Sequence, residues 1–222
     1  MLVLAVDTAT SAVVAGLARL PAVGCPEILA ERVTVNARAH GELLMPSVRE
    51  VMTSAGAGIR ELDAVVCGAG PGPFTGLRVG MVTAAALGDA LSIPVYPVCS
   101  LDAVAHRAGA GGAGGDRSLL VITDARRREV YWARYDAAGL RVDGPHVDRP
   151  ENVPLDGVSR VAGGCDALEL PVVPPRHADP GALVAVAAAA LRSQAPPPPL
   201  TPLYLRRPDA VPPGPAKRVT PA

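Results

Sequence analysis

Two aspartates stand at matching places in the chain, and each could do chemistry. Asp7 closes the apolar run Met1–Asp7, and Asp124 closes Leu119–Asp124. A carboxylate at a strand end can help hold a cation and a phosphate, or it can accept N–H groups of its own turn, an ordinary role for Asp. Between them lies Gly68-Ala-Gly-Pro-Gly-Pro-Phe-Thr-Gly-Leu-Arg-Val-Gly80. An apolar strand before it and an Ala-rich helix after it would aim free backbone N–H groups at an anion or another chain. The run fits neither nucleotide fingerprint: Thr75 stands where a dinucleotide loop needs Gly, and no register supplies the Lys of a phosphate loop. Arg126, Arg127 and Arg128 form the strongest positive cluster, suited to RNA, to an acidic partner or simply to water.

Other chemistries lack residues. His40, His106, His146 and His177 are far apart, and no His or Cys pair has metal-ligand spacing. There is no Gly-x-Ser-x-Gly elbow and no nucleophile–base pair. Cys25, Cys67, Cys99 and Cys165 are also dispersed, so they read as free thiols, with Cys67 and Cys99 buried at strand ends.

The elements that must position these residues follow from periodicity. Met1–Asp7 and Ala12–Leu20 read as a hairpin, with Ile28–Val35 as a third strand. His40–Ala55 has helical spacing, with Leu44, Val48, Val51 and Met52 on one stripe and Pro46 either delaying or kinking it. Leu62–Cys67 is a strand, Phe74–Leu91 a helix, Ile93–Val98 a strand, and Leu101–Arg107 a helix capped by Ser100. After a Gly-rich joint at 108–115, Leu119–Asp124 and Glu129–Tyr135 form a second hairpin. Setting Asp7 over Asp124 puts Val13 over Val130, which suggests a duplicated unit. Strands near 160–162 and 170–173 and a helix Pro180–Arg192, with Pro180 in its first turn, complete the second half. The last 28 residues hold 10 prolines, which excludes a long regular element there; Leu203-Tyr-Leu-Arg206 is the part expected to be pinned. The organisation is thus a first lobe at 1–107, the joint, a smaller lobe at 116–195 and a Pro-rich tail at 196–222.

Composition narrows the function. The chain has 222 residues, 49% hydrophobic but only 3% aromatic, so Ala, Val and Leu must build the core. Lys+Arg 21 against Asp+Glu 21 leaves no net charge, a poor balance for holding tRNA alone. No apolar run reaches the ~18 residues of a membrane span, and the expected location is cytoplasmic. On the helix after the glycine run, Gly76, Gly80, Ala84 and Gly88 recur every four residues. Three glycines on one face each cost about 0.5–1 kcal/mol relative to Ala, so something must pack closely there, either the lobe's own sheet or a partner helix.

The wording GPGPFTGLRVG resembles the hallmark of the TsaB (YeaZ) family, usually GPGSFTGLRIG. Leu4-Ala-Val-Asp-Thr-Ala-Thr10, His40-Gly-Glu-Leu-Leu-Met-Pro46, Ser100-Leu-Asp-Ala-Val-Ala105, Asp124-Ala-Arg126 with Glu129-Val-Tyr-Trp-Ala133, and Pro202-Leu-Tyr-Leu-Arg206 are similar to further family segments, in order along the chain. The resemblance implies an α/β, actin-like and hexokinase-like (ribonuclease H-like) fold of two tandem lobes. It implies a non-catalytic partner that dimerises with a TsaD-like transferase, joined by a TsaE-like ATPase, to put threonylcarbamoyl on the adenosine beside the tRNA anticodon. It implies no cofactor, pairing of such chains with themselves or with the transferase, so that a homodimer and a monomer both stay open for the chain alone, and tRNA contact only through the complex. Pairing would use first-half helices, so His40, Leu44, Gly76, Gly80, Ala84 and Gly88 become the expected interface.

Asp7 and Asp124 would be a vestigial nucleotide site, since actin-like ATPases keep an acidic group there near magnesium and phosphate. The second hairpin of such enzymes is glycine-rich, whereas Asp124-Ala-Arg-Arg-Arg128 is bulky; Gly163-Gly164 is similar to their adenosine-side glycines. TsaD proteins hold a metal with His-x-x-x-His, but His106 is alone, with Asp102 and Ala110 at the flanking positions. The alternative is an independent actin-fold ATPase or kinase using Asp7 and Asp124.

Overall fold

The computed structural model of the chain describes residues 1–109 and 118–206. Ten strands and four α-helices are found there: β1 (Leu2–Asp7), β2 (Ala12–Arg19), β3 (Glu27–Val35), α1 (His40–Ser54), β4 (Ala64–Gly68), α2 (Phe74–Leu91), β5 (Val95–Val98), α3 (Ser100–Arg107), β6 (Ser118–Asp124), β7 (Val130–Tyr135), β8 (Arg141–Asp148), β9 (Val158–Ala162), β10 (Val172–Val173) and α4 (Pro180–Arg192). The joint from residue 110 and the tail from residue 207 lie outside the described residues.

The two sheets have one topology. The first runs β3-β2-β1-β4-β5, and the second, read from its other edge, runs β8-β7-β6-β9-β10. In each, the first three strands form an antiparallel meander and the last two add parallel to the first. The Asp7/Asp124 correspondence is therefore a duplication in three dimensions. Both carboxylates end the central strand of their sheet.

Packing is in layers. Leu4 and Val6 face α1 and α2 through Leu44, Val48, Leu77 and Met81. Val3 and Ala5 face the opposite way, toward α3 and α4, which also meet Leu119, Val121 and Tyr135 of the second sheet. The central helices are thus shared by both sheets, and residues 2–6 of β1 and 119–122 of β6 are continuously apolar because both their faces are covered. The outer face of the second sheet carries only a small cluster around Ile122, Trp132 and Val153. α4, expected to complete the second half, lies against β1, β2 and β4 of the first sheet. Gly16 of β2 makes this approach feasible, because a Cβ there would overlap the ring of Pro180. Asp179 caps α4, its Oδ1 accepting the N–H of Ala182 at 2.9 Å.

Three local expectations are corrected. Ser100 begins α3 instead of capping it, and its hydroxyl serves another purpose described below. Pro46 does not delay α1, which runs from His40 through it to Ser54; both Pro46 and Glu42, four residues earlier, are exposed, so the carbonyl left without its usual donor lies at the wet side of the helix. β8 was not anticipated. Its sequence RVDGPHVD holds charges, Gly144 and Pro145, and only one neighbour, β7, as suits an edge strand.

Candidate functional site

The glycine run is a clasp around the β1–β2 turn. Four glycines, spaced by four, each meet one residue of Asp7-Thr8-Ala9. A Cβ on Gly68 would overlap the Asp7 carboxylate, and one on Gly72 would overlap the backbone of Ala9. A Cβ on Gly76 would come 2.9 Å from the Thr8 carbonyl oxygen, and one on Gly80 2.5 Å from Thr8 Oγ1. The Thr8 hydroxyl donates to the Gly76 carbonyl at 2.7 Å and accepts the Gly80 N–H at 2.8 Å, taking the two groups that α-helical geometry would join to each other. The GPGPFTGLRVG wording is thereby explained by close approach within the chain.

This corrects the expected partner residues. Gly76, Gly80, Ala84 and Gly88 are the buried face of α2, packed on Thr8, His40 and Val95. Leu44 is part of the core. His40 is buried, neither capping α1 nor facing outward: its Nε2–H donates to the Thr10 carbonyl at 2.8 Å. The four-residue spacing was real, but it marks the inner side of α2. Its outer side carries Thr75, Arg78, Val82, Ala85, Ala86 and Asp89, with Val82 65% exposed, and adjoins α1, whose exposed residues include Glu42, Pro46 and Arg49.

Asp7 is buried and answered from within the protein. Its Oδ1 accepts the Ala9 N–H at 2.7 Å, and its Oδ2 accepts the Ser100 hydroxyl at 2.5 Å. Burial raises its pKa above the ordinary carboxylate value, against the opposing effect of those two hydrogen bonds and of nearby His177 and His40. Asp124 stands at the mouth of the interlobe cleft, where Oδ1 accepts the Arg126 N–H at 2.7 Å and Oδ2 pairs with the Arg126 guanidinium at 3.2 Å. The duplication thus brings the two strand ends to one cleft of about 360 Å³, lined by Thr10, Ser11, Thr123, Asp124, Arg126 and His177 among others, but Asp7 does not line it.

The hairpin tip beside the cleft is strained. Arg126, Arg127 and Arg128 all have positive φ, at 64°, 53° and 62°. Single left-handed residues other than glycine cost about 1–3 kcal/mol, and three in succession are unusual.

Between the lobes, Asp102 accepts the Tyr135 hydroxyl at 2.7 Å and pairs with Arg141 at 3.2 Å. Sequence reasoning compared Asp102 only with a missing metal ligand; its role as an interlobe tie had no local signal. His106, four residues on, is exposed. Among the described residues, no three His, Cys, Asp or Glu side chains converge on a metal position, and no helix is long and apolar enough to cross a membrane. A second tie is the segment 199–206. The Leu203 N–H donates to the Ala69 carbonyl at 2.9 Å, and Arg206 donates to the Ala125 carbonyl at 3.1 Å while pairing with Glu129.

Two sheets of identical strand order with shared central helices define a two-lobed α/β protein of the actin-like, hexokinase-like class. Residues 27–174 match the family model described as TsaD, tRNA N6-adenosine threonylcarbamoyltransferase. The solved structure of YeaZ from Pseudomonas aeruginosa superposes with a TM-score of 0.75 at 26% identity, over 92% of this chain and 99% of that one. An uncharacterized protein of Mycobacterium tuberculosis is 51% identical over 213 residues, 95% of this chain and 94% of the relative. The Escherichia coli tRNA threonylcarbamoyladenosine biosynthesis protein TsaB is 35% identical over 141 residues, 61% of this chain and about half (55%) of that protein. The chain belongs to this family, on its TsaB (YeaZ) branch.

Proposed function

We propose that this chain serves threonylcarbamoyladenosine formation in tRNA as a non-catalytic subunit that pairs with a TsaD-like transferase. The names of its relatives support the pathway. The observation that carries the non-catalytic reading is the state of the two aspartates. Asp7 is buried beneath its own turn and does not reach the cleft, and Asp124, which lines it, is paired with Arg126. The glycines that might have cradled a phosphate are filled by Thr8 and Ala9.

The pairing surface in this reading is the outer side of α2 with the adjoining part of α1. Beyond Arg78 it is an apolar strip around Val82, Ala85 and Ala86 that ends at Asp89, the composition of a helix–helix contact. The same strip would serve a homodimer when the chain is alone, and a TsaE-like ATPase would join the heterodimer.

Co-expression with the TsaD-like subunit tests this. Co-purification in equal amounts, with threonylcarbamoyl transfer by the pair and no ATP turnover by this chain alone, is the expected result. ATP hydrolysis by the isolated chain that disappears in Asp7→Ala would favour an independent ATPase or kinase instead.

A further inference from the structure

Phe74, the chain's one phenylalanine, is exposed. It stacks on Tyr204, also exposed, with centroids 5.0 Å apart and ring planes 27° apart. The Arg78 guanidinium lies 3.5 Å from the Phe74 centroid, and its Nε donates to the Tyr204 hydroxyl at 2.6 Å. An apolar ring left in water beside a guanidinium is a surface on which a flat, polar-edged group can stack. Two residues beyond Tyr204, about 7 Å along an extended chain, Arg206 donates to the carbonyl of Ala125. The segment therefore joins the aromatic cluster to the Arg126–Arg128 tip.

We infer that the Phe74–Arg78–Tyr204 cluster and the Arg126–Arg128 tip form one contact face for unpaired RNA. The inference rests on the reading above, in which the chain works beside a tRNA-modifying subunit. Three observations carry it. Among the described residues, Arg78, Arg126, Arg128 and Arg206 stand here against Asp124 and Glu129, a local positive excess in a chain of zero formal charge. The tip holds three arginines in a backbone conformation that glycine would adopt without strain, so the side chains are retained against the local preference. An acidic polypeptide would answer the charge but leaves the exposed stacked rings without a role, whereas unpaired RNA uses both phosphates and base faces. The charge excess is small, so the contact is weak alone and adds to what the transferase subunit supplies.

The test uses the full chain, alone and in its complex, with an anticodon stem-loop RNA carrying an unmodified loop and a duplex RNA of equal length. Binding should favour the loop RNA and weaken with salt, and each tip arginine changed to Ala should reduce the log–log salt slope by about 0.7. Phe74→Ala should weaken loop binding by about 5- to 150-fold without changing that slope. Arg128→Gly should raise Tm by relieving strain while lowering RNA affinity, a pairing of effects that a purely structural tip does not produce. Co-purification with the transferase subunit should be unchanged in Arg128→Gly, which separates this inference from the pairing itself. Equal affinity for loop and duplex, unchanged affinity in Phe74→Ala, or displacement of no RNA but binding of poly-glutamate would overturn it.

Discussion

The hydroxyl of Thr8 occupies the place in α2 where the N–H of Gly80 would meet its own helix, accepting that N–H at 2.8 Å. One side chain thereby locks the β1–β2 turn to the helix that follows β4, and the glycine on the receiving side cannot carry a Cβ without displacing Thr8 Oγ1.

Gly80→Leu should consequently unfold the first lobe more readily, although Leu is a far better helix former than Gly. Overpacking typically costs about 1–3 kcal/mol, and here the displaced atom also holds two buried hydrogen bonds. Chemical denaturation of Gly80→Leu should give a lower midpoint with Thr8→Val intermediate. A stability equal to the parent chain would mean that the clasp yields without loss.

The limits of the sequence are plain at this same helix. Phe74–Leu91 and Pro180–Arg192 were readable to the residue, the first as an Ala-rich segment after the glycine run and the second with Pro180 in its first turn. The Gly76–Gly88 stripe was also readable as a close contact. Spacing alone carries no sign, however: a row of small residues reads the same whether a neighbouring turn or a foreign helix lies on it. Its partner, Thr8, sits 68 residues away from Gly76. Ser100 and Asp102 were hidden for the same reason. Their bonds run to Asp7 and Tyr135, and local pattern offers only a cap and an absent metal ligand in their place. The duplication was legible because it lies in two hairpins that align without a gap, whereas the edge strand β8 has neither alternation nor β-branched content enough to announce itself.

Asp7 should make stability depend on pH in a definite direction. Its folded-state pKa is raised by burial above the ordinary carboxylate value. The folded protein therefore holds this proton more tightly than the unfolded chain. The associated stability is fully present below the unfolded pKa and is lost as pH rises through the folded value. Asp7→Asn removes the titration, so the difference in unfolding free energy, parent minus variant, should fall as pH rises through the ordinary aspartate range and level off above the raised folded-state pKa. A difference that rises with pH in that range would mean that the hydrogen bonds from Ser100 and Ala9 outweigh desolvation.

Pairing should respond to the outer side of α2 and not to its glycines as such. Val82→Asp puts a charge in the middle of the exposed strip while touching no core residue, so the variant should melt like the parent chain. Burying that unpaired carboxylate against a partner should weaken association by about tenfold or more. Thermal unfolding and titration with the TsaD-like subunit check the two halves. Undiminished affinity in Val82→Asp would move the interface off this face.

The four free cysteines give a way to watch the 199–206 segment itself. Cys25 is exposed and should react with a thiol reagent at once. Cys67 lies inside the first lobe between β4 and the helices, and burial pushes its thiol pKa far up. Cys99 is pushed up to about 12, mainly by burial and also by the Asp102 carboxylate. It differs from Cys67 in its surroundings: Cys99 borders an open recess of about 440 Å³ that Asp102, Arg141, Pro199, Thr201 and Leu203 also line. Opening the segment would expose Cys99 and leave Cys67 covered. Tyr204→Ala removes the hydrogen bond from Arg78 and the stack on Phe74 that hold the segment down, a loss of about 1.4 kcal/mol or more, hence about tenfold more frequent opening. Cys99 labelling should accelerate by that factor in Tyr204→Ala while Cys67 labelling stays at the parent rate. Acceleration of both thiols together would indicate that the variant loosens the whole lobe, and acceleration of neither that the segment is held by Leu203 and Arg206 alone.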